Sequence, residues 1–223
     1  MQMLGQPSKI TMLFILFSMA LYLFLMSFIH FPVTTLLKPL PIILLMLFTL
    51  EVQAKGQKRA LLLGALGFSV IGDIVLTLPL SFALQVGILA FMAAHSLYIC
   101  LYVKNMQFQR RHFLLFLPIL VFSSVAFYYL WPYLGNMQIP VMVYICLLIL
   151  MVFFAFQVKQ KVFLIGGGAT LFLLSDFTLS LDLFVIPQIK FIAVLVMFLY
   201  YLAQLLIVVG ITSIKPADLI KKL

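Results

Sequence analysis

The sequence predicts an all-α integral membrane protein with eight transmembrane helices and both termini in the cytoplasm. Of its 223 residues, 66% are hydrophobic and 9% are charged, and the mean hydropathy is +1.28. A soluble domain is about half apolar and about a quarter charged, so this composition indicates a protein that lies within a membrane. Because each span takes about 20 residues, eight spans leave only short loops, and residues 1–223 are predicted to form a single polytopic domain.

The spans are predicted from the apolar runs between seven breaks, at 30–32, 52–59, 79–81, 103–112, 132–137, 157–162 and 184–188. Each break contains either a proline or at least two basic residues. The first run follows Lys9 and lacks a small-residue cleavage pattern, so it is expected to be an anchor and not a removed signal peptide. In chain order, the spans are expected at roughly 10–29, 33–51, 60–78, 82–102, 113–131, 138–156, 163–183 and 189–212.

The positions of the basic residues predict the orientation. With eight spans, only Lys38 and Lys190 of the 14 Lys and Arg residues fall on one side of the membrane. By the positive-inside rule the other 12 face the cytoplasm. We expect the bacterial inner membrane, from the compact chain without a recognisable organelle signal, with the endoplasmic reticulum as the eukaryotic alternative. The 12 are Lys9, Lys55, Lys58, Arg59, Lys104, Arg110, Arg111, Lys159, Lys161, Lys215, Lys221 and Lys222.

A weak internal repeat suggests a parallel arrangement of four plus four spans. Four spans per copy keep the two copies parallel, whereas the inverted repeats of many ion-coupled transporters need an odd number. The offset of 103 residues aligns Gly64 with Gly167, Asp73 with Asp176, Ala90 with Ala193 and Tyr98 with Tyr201.

Three of the five acidic residues, Asp73, Asp176 and Asp182, lie inside predicted spans. A carboxylate at mid-membrane costs about 2.5–3.5 kcal/mol on insertion scales, so such residues normally face the bundle interior and have a function. Asp73 lies 14 residues beyond Arg59, and Asp176 lies 15 beyond Lys161. Both are therefore about 21–23 Å from the basic edge, at about 1.5 Å per residue, and we expect them to share one cavity. The alternative is a pair of packing aspartates that are hydrogen-bonded to neighbouring helices.

Other polar residues are candidates for binding the substrate or supporting the site. Ser69 shares a small, polar helix face with Asp73, and Ser175 precedes Asp176. Lys38 lies on the outer side, where it is expected to pair with one aspartate, to bind a lipid phosphate or only to snorkel to the interface.

Two later spans add further candidates. His95 and Tyr98 share a helix face that is expected to line the cavity, unless His95 only satisfies a buried hydrogen bond. Tyr201 is a similar candidate in the last span, together with Tyr200 and Gln204. Asp182 is expected at the rim of the site or as a helix cap.

Several function classes are poorly supported. No His, Cys, Asp or Glu cluster has metal-ligand spacing, and neither a Gly-x-Ser-x-Gly elbow nor a phosphate-binding loop is present. The net charge of +9 follows from the cytoplasmic loops and does not indicate nucleic-acid binding. Cys100 and Cys146 lie inside apolar runs, so no disulfide framework is expected.

The chain resembles the YhhN-type lysoplasmalogenase family, which includes the animal transmembrane lysoplasmalogenases. The resemblance runs from about residue 32 to 212, in eight spans. It rests on the order and spacing of four motifs: Lys38-Pro39-Leu40-Pro41, Gly72-Asp73, Ala94-His95-Ser96-Leu97-Tyr98 and Leu173-Leu174-Ser175-Asp176.

This resemblance implies a membrane hydrolase that cleaves the vinyl ether bond of lysoplasmalogens to a fatty aldehyde and glycerophosphoethanolamine or glycerophosphocholine. The paired catalytic aspartates of the family would be Asp73 and Asp176, and no role passes to Asp182. The expected partners are a lysophospholipid substrate and membrane lipid, with no metal or organic cofactor. Proton transfer to a vinyl carbon suits a carboxylic acid, and a second carboxylate can stabilise the resulting cation.

The main alternative is a proton-coupled carrier of small molecules or lipids, because proton relays also use buried acids. A purely structural role is the third possibility. Hydrolysis survives the loss of a sealed compartment whereas transport does not, so purified protein in detergent separates these functions.

Overall fold

The computed structural model describes residues 9–186 and 189–214, and these residues form an all-α protein, as predicted. Three of the 12 basic residues predicted to face the cytoplasm lie outside the described residues: Lys215, Lys221 and Lys222. The described helices are α1 (Lys9–Leu25), α2 (Val33–Leu37), α3 (Leu40–Val52), α4 (Gln57–Val75), α5 (Ala83–Val103), α6 (Arg110–Leu130), α7 (Gln138–Phe156), α8 (Val162–Phe184) and α9 (Lys190–Thr212).

The chain is a multi-pass membrane protein with six candidate spans among the described residues. α1 is apolar but shorter, with 17 residues, and α4 carries Lys58, Arg59 and Asp73 within 19 residues. The six segments long and apolar enough to cross a membrane are Val33–Val52, Ala83–Val103, Arg110–Tyr133, Gly135–Phe156, Val162–Phe184 and Lys190–Thr212.

The first predicted span extends too far, because α1 ends at Leu25 and not near residue 29. The backbone turns there, with the N–H groups of Phe28 and Ile29 both donating to the Leu25 carbonyl oxygen. The apolar sequence continues through this turn, where Phe28 is strongly exposed. Apolar composition at this position therefore marks an exposed apolar surface and not helix.

The second span is divided into α2 and α3 at the Lys38-Pro39-Leu40-Pro41 motif. A proline lacks the backbone N–H that continues a helical hydrogen-bond ladder. The N–H of Ile42 donates to Pro39 at 3.0 Å, which leaves the Lys38 carbonyl oxygen without its usual helical donor. The Tyr201 hydroxyl of α9 donates to that oxygen at 2.7 Å. The break therefore holds Lys38 at a defined position beside α9.

The most extensive helix contacts are between α4 and α5 and between α8 and α9. Glycines permit the helices of both pairs to pack closely. A Cβ on Gly72 would lie 2.6 Å from the Phe91 ring, and one on Gly168 would lie 2.9 Å from the Ala203 carbonyl oxygen. These two helix pairs carry Asp73 and Asp176 at corresponding places. The helix order agrees with an offset of 103 residues, but the duplication itself stays a prediction.

Two basic connections lie side by side at one end of the bundle. The Gln107 N–H donates to the Gln157 carbonyl oxygen at 2.7 Å, and the Lys159 N–H donates to the Asn105 carbonyl oxygen at 2.9 Å. These bonds join the α5–α6 and α7–α8 connections. Lys38 lies just before the start of α3, and the α4–α5 connection follows the end of α4. Both are at the helix ends away from the two basic connections.

Candidate active site

A cavity of about 520 Å³ lies between α1, α2, α4, α5, α7, α8 and α9. Its polar lining includes Lys38, Asp73, Asp176 and Asp182, and most of the remaining wall is apolar. Because Asp73 and Asp176 come from different helices and reach the same cavity, the structure brings together the two acids singled out in the sequence. The apolar part of the wall includes Met26, Leu76, Leu84, Ile88, Leu179, Val196 and Met197.

Asp73 is held by a cation and a tyrosine. Its Oδ1 lies 3.5 Å from the Lys38 Nζ, and its Oδ2 accepts a hydrogen bond of 2.7 Å from the Tyr200 hydroxyl. Only 1% of Asp73 is exposed, so both partners act in a largely desolvated setting. A buried carboxylate is tolerated when it is paired and hydrogen-bonded, as it is at this position.

Asp176 has a different set of partners. Its Oδ2 accepts a short hydrogen bond from the Tyr144 hydroxyl of α7 and lies 3.9 Å from the His95 Nε2 of α5. Within residues 9–186 and 189–214, no hydrogen bond reaches its Oδ1. The side chain is 16% exposed and lines the cavity. Asp176 therefore keeps one oxygen available to a ligand.

His95 orients the Tyr144 hydroxyl. A tyrosine hydroxyl carries one hydrogen, and Tyr144 donates it to Asp176. The His95 Nε2, 3.1 Å from the Tyr144 oxygen, must then be the donor in that contact. This requires the Nε2–H tautomer of a fully buried ring, whose Nδ1 has no hydrogen-bond partner among the residues described. His95 is thus a positioning residue behind Tyr144.

The prediction that His95 and Tyr98 line the cavity differs from the structure, which places both side chains behind its wall. The Tyr98 hydroxyl donates to Gln204 Oε1 at 2.6 Å, and Gln204 Nε2 donates to the Ser69 Oγ at 3.0 Å. Ser69, Tyr98 and Gln204 are fully buried. This network joins α4, α5 and α9 and supports the helix that carries Asp73.

The remaining predicted residues are divided between the wall and its support. Ser175 lines the cavity, but its hydroxyl donates to the Val196 carbonyl oxygen at 2.9 Å. Tyr201 lies behind the wall and acts on Lys38 through the backbone, as described above. Asp182 lines the cavity near the end of α8, and the C-cap contact of that helix is the Val185 N–H, which donates to the Leu181 carbonyl oxygen.

Tyr144, the hydroxyl donor to Asp176, is not among the residues predicted from the sequence. α7 is apolar along most of its length, and Tyr144 has no polar neighbour at helical spacing that would mark a functional face. A single tyrosine well inside an apolar span is a weak signal, because burial of a tyrosine hydroxyl requires a partner but does not specify it.

A second, much smaller cavity of about 30 Å³ lies on the α6 side of Asp176. It has room for about one water molecule, and polar groups are available to that water from Tyr144, Asp176 and Ser180. The lining residues are Phe122, Ser123, Ala126, Phe127, Tyr144, Ile145, Leu148, Leu173, Asp176, Phe177 and Ser180.

Metal coordination is not assigned to any of these residues. The described part of the chain holds no group of three or more His, Cys, Asp or Glu side chains placed to bind a metal ion. Around Asp73 and Asp176 the cavity presents two carboxyl groups, the hydroxyl donors of Tyr144 and Tyr200 and the Lys38 ammonium group, which is a set suited to proton transfer.

The family model of the YhhN family matches residues 33–211, which include both aspartates and their hydrogen-bonding partners. The chain belongs to the YhhN family. The match begins with α2, so α1 lies outside it although Tyr22 of α1 lines the large cavity of this YhhN protein. No curated protein and no solved structure matches the chain significantly.

Proposed function

We propose that this YhhN protein is a membrane hydrolase that cleaves the vinyl ether bond of lysoplasmalogens. The YhhN family includes lysoplasmalogenases. The observation that carries the proposal is the cavity in which Asp73 and Asp176, from α4 and α8, face one space with different partners. Vinyl ether hydrolysis needs a proton donor and an anion at one site, which two unequal carboxyl groups provide.

We infer different roles for the two acids from their different partners. Asp73 is paired with the Lys38 ammonium and carries the negative charge. Among the described residues, the polar side chains that reach the Asp176 carboxyl group are the neutral Tyr144 and His95, both at Oδ2, so Asp176 holds the proton on Oδ1. The proposed repeat has no second cation, because the residue 103 positions after Lys38 is Val141, which also lines the cavity. This asymmetry turns two corresponding aspartates into an acid and an anion.

The reaction then proceeds by proton transfer to carbon. Asp176 donates its proton to the vinyl carbon that does not bear oxygen, and the Asp73 carboxylate stabilises the oxocarbenium ion. Water adds to the cationic carbon and returns one proton to Asp176, which gives a hemiacetal. The hemiacetal breaks its bond to the glycerol oxygen, which takes the proton of the hemiacetal hydroxyl, and a fatty aldehyde and a glycerophosphodiester leave.

The two cavities suit the two reactants. The apolar wall of the large cavity accommodates an alkenyl chain, as lipid-binding sites generally do. The water-sized cavity beside Asp176 and Tyr144 is adjacent to the carboxyl group that takes back a proton when water adds to the cation. Water is thereby supplied from the side opposite to the bulk of the lipid.

The test of the proposed function is aldehyde release by the purified protein in detergent. We expect a lysoplasmalogen to be cleaved and its saturated alkyl ether analogue to remain intact, because only the double bond can accept a proton at carbon. Aldehyde is quantified by trapping and mass spectrometry. Cleavage of both ethers, or of neither, contradicts protonation of a vinyl ether. Substrate transport that is seen only in sealed vesicles, without aldehyde release, supports the proton-coupled carrier instead.

We also propose the full topology: eight spans, with α1 and α4 crossing the membrane and both termini in the cytoplasm of a bacterial inner membrane. The two joined basic connections support this orientation. The test uses single cysteines at exposed loop positions, with Cys100 and Cys146 replaced by alanine.

A membrane-impermeant maleimide is expected to label Asn136→Cys in intact cells and Ala54→Cys only after permeabilisation. The first position follows α6 and the second precedes α4. The reverse pattern, or labelling of both positions in intact cells, shows that the proposed orientation is wrong.

A further inference from the structure

Among the described residues, Asp182 is the one carboxyl group lining the large cavity that the proposed reaction does not use. It lies on α8, six residues beyond Asp176, which corresponds to about 9 Å along the helix axis. Asp182 is one turn or less from the end of α8, so it faces the part of the cavity nearest the proposed outer surface. Leu183 and Phe184 line the cavity beside it.

The Asp182 carboxyl group differs from the other two carboxyl groups of the cavity in its hydrogen bonding. No side chain or backbone group within the described ranges donates a hydrogen bond to it, although its Oδ1 is shielded from solvent. Asp73 and Asp176, in contrast, each accept a hydrogen bond from a tyrosine. A carboxylate without a hydrogen-bond donor is unfavourable, and because Asp182 lines the cavity, a donor on a bound ligand can satisfy it once the carboxyl group turns toward the ligand.

The charge of the cavity indicates the sign of that ligand. Three of the five acidic residues of the chain line it, together with Lys38 as the basic residue. Lys38 is already paired with Asp73, so Asp182 has no cation beside it among the described residues. With Asp73 paired with Lys38 and Asp176 protonated in the proposed reaction, Asp182 is the remaining unpaired carboxylate of the described lining, and it favours a cationic ligand.

The geometry points to Asp182 as the binding residue for the primary ammonium of an ethanolamine head group. This inference rests on the proposed function: the vinyl ether lies at Asp176, and the head group extends along α8 toward Asp182. The ether oxygen and the amine nitrogen of glycerophosphoethanolamine are nine covalent bonds apart, which is enough to bridge the two carboxyl groups. Asp182 is thereby a specificity-determining residue.

A primary ammonium fits this site better than a quaternary one. The Asp182 carboxylate has no hydrogen-bond donor among the described residues, and a primary ammonium supplies N–H donors that choline lacks. Quaternary ammonium groups are usually recognised by aromatic cages. A site built to accept a hydrogen bond discriminates strongly against a ligand that lacks the donor. We therefore expect preference for ethanolamine over choline lysoplasmalogens.

The decisive experiment compares kcat/KM for the ethanolamine and choline substrates in the wild-type chain and in Asp182→Asn. We expect the ethanolamine preference of the wild type to fall about tenfold in the variant, mainly through KM. Thr178→Val is the matched control on α8, since its hydroxyl donates to the Leu174 carbonyl oxygen and it does not line the cavity. This control should keep the wild-type preference.

An unchanged ratio in folded Asp182→Asn, or equal loss for both substrates, overturns the head-group assignment and leaves vinyl ether hydrolysis intact. If no substrate is cleaved, a binding measurement tests the head-group site separately from vinyl ether hydrolysis. Ethanolamine and choline lysophospholipids with ester-linked chains are titrated against the wild type and Asp182→Asn. Ethanolamine-selective binding that disappears in the variant supports the subsite without hydrolysis, whereas binding without head-group selectivity contradicts it. If Asp182→Asn does not fold, Asp182→Glu is titrated in its place and should retain the preference.

Discussion

Asp73→Asn and Asp176→Asn are each expected to lower kcat for vinyl ether hydrolysis by about a thousandfold or more. Asparagine keeps the size of the side chain but neither gives a proton at neutral pH nor carries a negative charge. Loss of Asp176 removes the acid, and loss of Asp73 removes the anion that stabilises the oxocarbenium ion. The measurement is aldehyde release by purified variants whose helix content and thermal unfolding match the wild type.

Glu51→Gln is the control for these variants. Glu51 is an exposed carboxylate that accepts hydrogen bonds from Thr11, outside the residues that line the cavity. It should keep wild-type kcat. Near-normal turnover in either folded aspartate variant removes that aspartate from the reaction.

Infrared spectroscopy distinguishes the roles of the two acids without using turnover. A protonated carboxyl group has a C=O stretching band that shifts in heavy water, and we expect one such band from Asp176. The band should vanish in Asp176→Asn and persist in Asp73→Asn, because Asp73 is paired with Lys38. The opposite result exchanges the acid and the anion. A band that survives in both variants belongs to another group and contradicts the assignment.

Gly168→Ala is expected to destabilise the protein by about 1–3 kcal/mol, because the new methyl group overpacks the contact between α8 and α9. Its Cβ would lie 2.9 Å from the Ala203 carbonyl oxygen and 3.1 Å from the Ile207 backbone nitrogen. These are backbone atoms of the neighbouring helix, so they cannot rotate away as a side chain would. The effect is measured as a fall in the unfolding temperature of the detergent-solubilised protein.

The neighbouring glycine supplies a matched control. A Cβ on Gly167 meets no other atom within 4 Å. Gly167→Ala should leave stability unchanged or raise it, because alanine is favoured over glycine in a helix by about 0.5–1 kcal/mol. Equal destabilisation by both substitutions would show that helix conformation, and not the α8–α9 contact, is responsible.

The sequence determined the features that depend on local composition. Apolar runs and the prolines and charges between them predicted the all-α membrane class and most helix bounds within a few residues. The cost of a charge in a membrane, together with equal spacing from the basic edge, singled out Asp73 and Asp176. Both predictions depend only on the position of a residue along its own helix, and that position can be read from the sequence.

Tertiary structure alone decided which groups meet. The rotation of α5 against α7 and α8 decided whether His95 lines the cavity or forms a hydrogen bond behind its wall. Helical spacing within α5 carries no information about that rotation. Tyr144 became the partner of Asp176 for the same reason. In an apolar chain every helix face is nearly equally hydrophobic, so amphipathic periodicity cannot orient the helices. Packing contacts such as those at Gly72 and Gly168 set the rotations, and they involve residues far apart in the chain.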